Sequence, residues 1–87
     1  MKLVYWDLPA RSHFIRSILV YHGIDFEDER ISLADGAIWV ARKEELKSKI
    51  LYPNLPYLEN HGMFMTESLA IAKYVARTVV SSKEIEV

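Results

Sequence analysis

Short apolar runs bounded by turn-forming residues alternate along this chain with stretches in which apolar residues recur every three or four positions. Lys2–Trp6 (KLVYW) is of the first kind, and Asp7, Leu8 and Pro9 close it, because proline cannot donate to a ladder. Between 11 and 22 the apolar Phe14, Ile15, Ile18, Leu19 and Tyr21 recur mostly at helical spacing, and Gly23 supplies a stop. The stretch 25–32 (DFEDERIS) carries Phe26 and Ile31 among charges, the pattern of a strand whose charge guards an exposed edge. Asp35 and Gly36 mark a turn, and 37–49 then holds Trp39, Val40 and Leu46 in a looser helical pattern. Leu55 to Leu58 and Met63 to Met65 flank Glu59, Asn60, His61 and Gly62, where Asn60 and Gly62 offer the backbone freedom of a tight reversal. From 66 to 77 helical spacing returns through Leu69, Ile71, Ala72, Tyr74 and Val75, with Thr66 and Ser68 where capping oxygens belong.

The order is strand, helix, strand, helix, strand, strand, helix, with a helical crossover joining the first two strands and a hairpin the last two. It predicts an α/β domain of thioredoxin-like order, βαβαββα, on a mixed four-stranded sheet. Eighty-seven residues suffice for one such domain, expected over 1–80, with 81–87 as a linker or tail, or the start of another helix.

Composition narrows the function classes. Hydrophobic residues make up 51% and charged residues 26%, the balance of a folded water-soluble domain. A net charge of -1 and the lack of a basic run argue against nucleic acid as a partner. No apolar stretch approaches the roughly 18 residues of a membrane span and no leader opens the chain, so the expected setting is cytoplasmic. Cysteine is absent, so thiol chemistry, if any, must come from a ligand. His13, His22 and His61 lack metal-ligand spacing, and no metal is expected.

Three segments carry a resemblance: Tyr5-Trp6-Asp7, the run from Tyr52 to Leu58 (YPNLPYL) and the run from Glu67 to Arg77 (ESLAIAKYVAR). Together they resemble the amino-terminal domain of cytosolic glutathione transferases, closest to the mu and sigma classes. The resemblance implies glutathione as co-substrate and Tyr5 as the hydroxyl that donates to its sulfur. A donor there favours thiolate over a thiol of pKa about 8.5. By spacing alone Tyr5 reads as one more core aromatic. Arg11 matches an alpha-class arginine aimed at the sulfur. Its rival reading is a solvated charge in the first turn of a helix, where the dipole disfavours a cation. Ser12 is a weaker alternative activator, otherwise a helix-start residue.

The resemblance further implies a cis bond before Pro56. Leu55 would then offer its N–H and C=O to the ligand's cysteine as a strand would. Glu67 and Ser68 would hold the γ-glutamyl group, although Ser and Glu at a helix start also read as ordinary caps. Trp39 and Lys43 would face the glycine end, Asn54 would also bind glutathione, and Trp6 and Leu8 would line the pocket. A core Trp39 beside a surface Lys43 fits as well, and the match needs two extra residues between Lys43 and Asn54.

Pro9-Ala10 stands where mu and sigma enzymes carry Arg-Gly, which stiffens the loop after Tyr5 and removes a cation. In the family a helical second domain completes the electrophile pocket and much of the dimer contact, so the resemblance implies a partner here, a second copy or a larger protein. The functional expectation is a glutathione transferase half that activates the thiol for conjugation. The alternative is a non-catalytic binding or structural module within an assembly.

Overall fold

A computed structural model describes residues 1–85. Strands β1 (Lys2–Trp6), β2 (Glu27–Ile31), β3 (Tyr57–Asn60) and β4 (Met63–Thr66) form one sheet in the order β2-β1-β3-β4. β1 runs parallel to β2 and antiparallel to β3, and β3 pairs antiparallel with β4. Helices α1 (Ala10–Tyr21), α2 (Gly36–Leu46) and α3 (Ser68–Tyr74) complete the thioredoxin-like arrangement expected from the pattern. A wider π-helical turn, Val75–Val79, joins α3 to α4 (Val80–Ile85). Residues 81–85 thus carry helix onward, and residues 86 and 87 lie outside the described residues.

The sheet separates two apolar clusters. Leu3, Ile15, Leu19, Leu58, Ile71 and Val75 pack between the sheet, α1 and α3, whereas Val4, Tyr5, Ile31, Leu46, Leu55 and Tyr57 pack towards α2. Strand alternation sends Leu3 and Val4 to opposite faces, and both are 0% exposed. β1 is therefore buried on both sides and hydrogen-bonded along both edges. β2 lies at the sheet edge, as its charges predict.

Local chemistry sets the element ends. After α1, the Gly23 N–H donates to the Val20 carbonyl at 3.0 Å and the Ile24 N–H to that of Leu19 at 2.9 Å. With Gly23 at φ 63° this closes the helix by the Schellman pattern, and Ile24 packs onto the core beside Leu19. In the hairpin, His61 and Gly62 take the positive φ angles, 51° and 78°, in place of the expected Asn60 and Gly62. The Asn60 amide donates instead to the Tyr74 hydroxyl at 2.8 Å, so its side chain is spent on α3. Histidine is among the residues that tolerate this region.

α2 ends at Leu46, short of the expected 49, because the N–H groups of Lys49 and Ile50 both converge on the buried Leu46's carbonyl, at 2.9 and 2.8 Å. At the start of α3 the N-cap is Glu67, with no side-chain cap bond, so neither Thr66 nor Ser68 caps as expected. Ser12 is likewise no helix-start cap: it is 0% exposed, inside α1, whose N-cap is Pro9.

Ile71 is 0% exposed in the cluster between sheet and helices. Ile71→Ala is expected to lower the unfolding free energy by about 2–5 kcal/mol in denaturant titrations, through lost burial and the cavity left behind.

Candidate functional site

Strand register brings the three recognised segments to one end of the sheet. Val4 pairs with Tyr57 and Tyr57 with Thr66, so one row crosses β1, β3 and β4. Immediately beyond that row lie Tyr5 and Trp6 on β1, Pro56 and Leu55 before β3, and Glu67 and Ser68 after β4. Ends of strands that feed helices are where α/β sheets place ligands.

Tyr5 is 6% exposed and packs with Val4, Ile31 and Leu55, while Trp6 and Leu8 are half-buried against the same cluster. Arg11, the second residue of α1, is exposed. Leu55 and Pro56 are buried, and the bond between them is cis. The Leu55 N–H, the donor expected to meet a ligand, donates to the Asn54 Oδ1 at 2.9 Å. Asn54 is itself exposed.

Glu67 has φ 75° and ψ 114°, a conformation that side chains other than glycine's rarely take. A backbone so held costs about 1–3 kcal/mol and persists only where the surroundings enforce it, characteristically at ligand clamps. Ser68 is half-buried at the first position of α3.

On α2, Trp39 stacks on Tyr57 with ring centroids 6.3 Å apart and packs onto the core, whereas Lys43 is exposed. The stack continues from Tyr57 to Phe64 at 6.5 Å, and Lys49 lies over the Phe64 ring at 4.9 Å from its centroid. Trp39 thus docks α2 on β3, as a core aromatic does.

Sequence reasoning missed the polar clamp beside this stack. Arg42 donates through Nη1 and Nη2 to both carboxylate oxygens of Glu29, at 3.0 and 2.9 Å, and through Nη1 to the Tyr57 hydroxyl at 2.9 Å. Its hydrogen bond to Glu29 raises the arginine's pKa further above its ordinary range, and the same bond holds the Glu29 carboxyl below the usual carboxylate value. The available signal was spacing: Trp39 and Arg42, three apart, share a helix face.

Among the described residues no group of three or more His, Cys, Asp or Glu could hold a metal ion. No described helix is long and apolar enough to cross a membrane.

A family model described as "Glutathione S-transferase, N-terminal domain" matches residues 1–77. The chain is 37% identical over 82 residues to glutathione S-transferase Mu 4 of Mus musculus, which covers 88% of this chain and 37% of that protein. It is 38% identical over 76 residues to the hematopoietic prostaglandin D synthase of Homo sapiens, covering 87% of this chain and 35% of that one. Among solved structures, the glutathione S-transferase from Ascaris lumbricoides aligns with a TM-score of 0.70 at 36% identity, over 87% of this chain and 34% of the other. The rat hPGDS complexed with a quinoline gives 0.68 at 34% identity, over 88% and 35%. The chain spans about a third of the length of the curated relatives it matches.

Two measurements check the energetics of this region. Replacing Glu67 by glycine relieves the backbone at the cost of unfolded-state entropy, so Glu67→Gly is expected to gain about 1 kcal/mol of stability in denaturant titrations. Because the Glu29 carboxyl is held below its unfolded value, its contribution is present above about pH 4.3 and is lost as pH falls through the folded value. Glu29→Gln is expected to cost about 1 kcal/mol at pH 7, and its deficit against the parent should shrink as the pH of unfolding is taken below 4.3.

Proposed function

The chain belongs to the glutathione S-transferase N-terminal domain family, and from that premise we propose that it is the glutathione-binding half of a glutathione transferase. The observation that carries the reading is the strand row Val4, Tyr57, Thr66, beyond which Tyr5, Leu55 and Ser68 all lie at the same end of the sheet.

Glutathione then lies along the end of the sheet. Its cysteine pairs with the backbone of Leu55 as an added strand, releasing the Asn54 side chain, and Pro56 sets the direction of that backbone. Ser68 binds the γ-glutamyl carboxylate through its hydroxyl and N–H, and Glu67 accepts from the α-ammonium group. Lys43 and Trp39 serve the glycine end, the freed Asn54 side chain also contacts the ligand, and Trp6 and Leu8 wall the pocket. The Tyr5 hydroxyl donates to the sulfur and so favours loss of the thiol proton to solvent. Arg11 adds a cation that acts in the same direction. The resulting thiolate attacks an electrophilic carbon. No metal takes part, and a cytosolic setting fits a reaction that consumes free glutathione.

The electrophile pocket draws on structure outside these residues. Phe14, Val20, Tyr21 and Leu69 are exposed on α1 and α3, and Leu51 and Tyr52 on the loop before β3, at 84% and 80%. Such surface fits association with a second copy of the chain or a larger protein.

One observation favours the second reading, a non-catalytic module that keeps the fold within an assembly: the Leu55 N–H is already satisfied by Asn54. Calorimetric titration with glutathione separates the two. Heat of binding that Ser68→Ala reduces supports the site; no heat, with no effect of Ser68→Ala, leaves the scaffold. For catalysis, conjugation of glutathione to an aromatic halide is expected to fall about tenfold or more in Tyr5→Phe, the effect of losing a charge-assisted hydrogen bond to the nucleophile. Equal rates in both proteins remove Tyr5 from the mechanism.

A further inference from the structure

The turn between β1 and α1 follows directly on Tyr5 and Trp6, yet it lacks local anchoring. Pro9 is the N-cap of α1 with no side-chain cap bond, and the first helical turn holds no acid. The Leu8 N–H donates only as far as the Trp6 carbonyl, at 2.8 Å. Two long-range holds remain: the Asp7 N–H donates to the Ile31 carbonyl of β2 at 2.8 Å, and at Leu8 the hold comes from Arg16, further along α1 and 7% exposed. Its Nη1 donates to the Leu8 carbonyl at 3.4 Å, while its Nε donates to Asp28 Oδ1 at 2.9 Å. Asp28 Oδ2 accepts from Arg30 Nε at 3.0 Å, and Arg30 Nη1 stands 3.7 Å from Asp7 Oδ1. Both Asp7 and Leu8 are thereby tied to α1 and β2 through one carboxylate.

This arrangement does not favour stability alone. Arg16 Nη2 and Ser12 Oγ, one helical turn apart on the same face, are buried without a hydrogen-bond partner among the described residues. A buried, incompletely paired charge is costly, and an apolar side chain of similar volume often stabilises as well or better. What such a side chain could not do is grip a backbone carbonyl and a carboxylate at once through one planar fork.

We propose that Arg16 is a positioning residue for the glutathione sulfur: by holding the Leu8 carbonyl it fixes the course of the chain after β1 and thereby where the Tyr5 hydroxyl meets the thiol. The inference rests on the thiol-activating role given above to Tyr5. Arg16 touches neither ligand nor sulfur. It acts by limiting the positions open to a turn that Pro9-Ala10 stiffens but nothing local caps.

The ultraviolet absorbance of the thiolate, titrated against pH with the 87-residue chain, reads the pKa of bound glutathione. Arg16→Lys keeps a cation beside Asp28 and removes the second arm of the fork. The expected result is a thiol pKa about one unit higher, roughly tenfold less thiolate near neutrality. Affinity for S-methylglutathione, which has no thiol to ionise, should stay within about twofold, the range of a surface-neutral change. Adding Tyr5→Phe to Arg16→Lys should raise the pKa no further than Tyr5→Phe alone, because one residue acts through the other. An unchanged thiol pKa in Arg16→Lys overturns the proposal, as do additive shifts in the double variant or an equal loss of affinity for both ligands. Should Arg16→Lys fail to fold by circular dichroism, the same criteria apply to Asp28→Asn, which keeps an acceptor for Arg16 but weakens its hold. Tyr5→Phe in the otherwise parental chain is the control: no shift there defeats the role of Tyr5 itself, whereas a shift there with none in Arg16→Lys defeats only the role of Arg16.

Discussion

Everything in this domain is hung on β1. It is hydrogen-bonded to β2 on one side and β3 on the other, and Leu3 and Val4 send it into opposite cores. A strand buried on both faces and along both edges has one register in which its apolar residues stay inside, since a slip by one residue exchanges the faces. That constraint sets where β1 ends, and with it the depth at which Tyr5 and Trp6 stand relative to Leu55 and Ser68. The proposed glutathione site is a consequence of this register more than of any single side chain in it.

The edge strand β2 supplies the second constraint. Asp28 and Glu29 are consecutive, so their side chains leave opposite faces of the sheet, and each is gripped by an arginine from the helix on its side. Arg16 of α1 reaches Asp28, opposite Leu3 in the register, and Arg42 of α2 reaches Glu29, opposite Val4. Both helices are latched to adjacent residues of one strand, one latch continuing to the Tyr57 hydroxyl and the other to the turn after β1. Partly buried, multiply hydrogen-bonded pairs of this kind fix geometry more than they add stability.

Periodicity made the elements and their order legible, because the unbroken apolar run of β1 and the recurrence of Ile15 and Leu19, or of Ile71 and Val75, report burial directly. The three site segments were legible through resemblance. The latches were not: the charges of 27–30 read as protection of an edge, and nothing local distinguishes a guard from a grip until the helices are packed. The hairpin was placed correctly, but the positive φ fell on His61 where Asn60 was expected. Asn60 had a tertiary partner in Tyr74, and propensity yields to such partners. The end of α2 and the π-helical turn at Val75–Val79 likewise depend on packing, where a pattern of apolar positions is nearly silent.

The two ends of the sheet differ in how well they satisfy local rules. At the end away from Tyr5, α1 closes on Gly23 in a full Schellman pattern and the hairpin turns through His61 and Gly62 in its preferred conformation. At the end of Tyr5, neither α1 nor α3 has a side-chain cap, Glu67 holds a strained backbone, and Ser12 and Arg16 bury unpaired polar atoms. Local propensity would correct the missing α1 cap and the strained backbone cheaply, by a serine at position 9 or a glycine at 67. Their concentration at one end means that this end is shaped by tertiary packing against its own local preferences, the condition that marks functional sites and fits the proposed one. The conformity of the far end stabilises the fold that makes this possible.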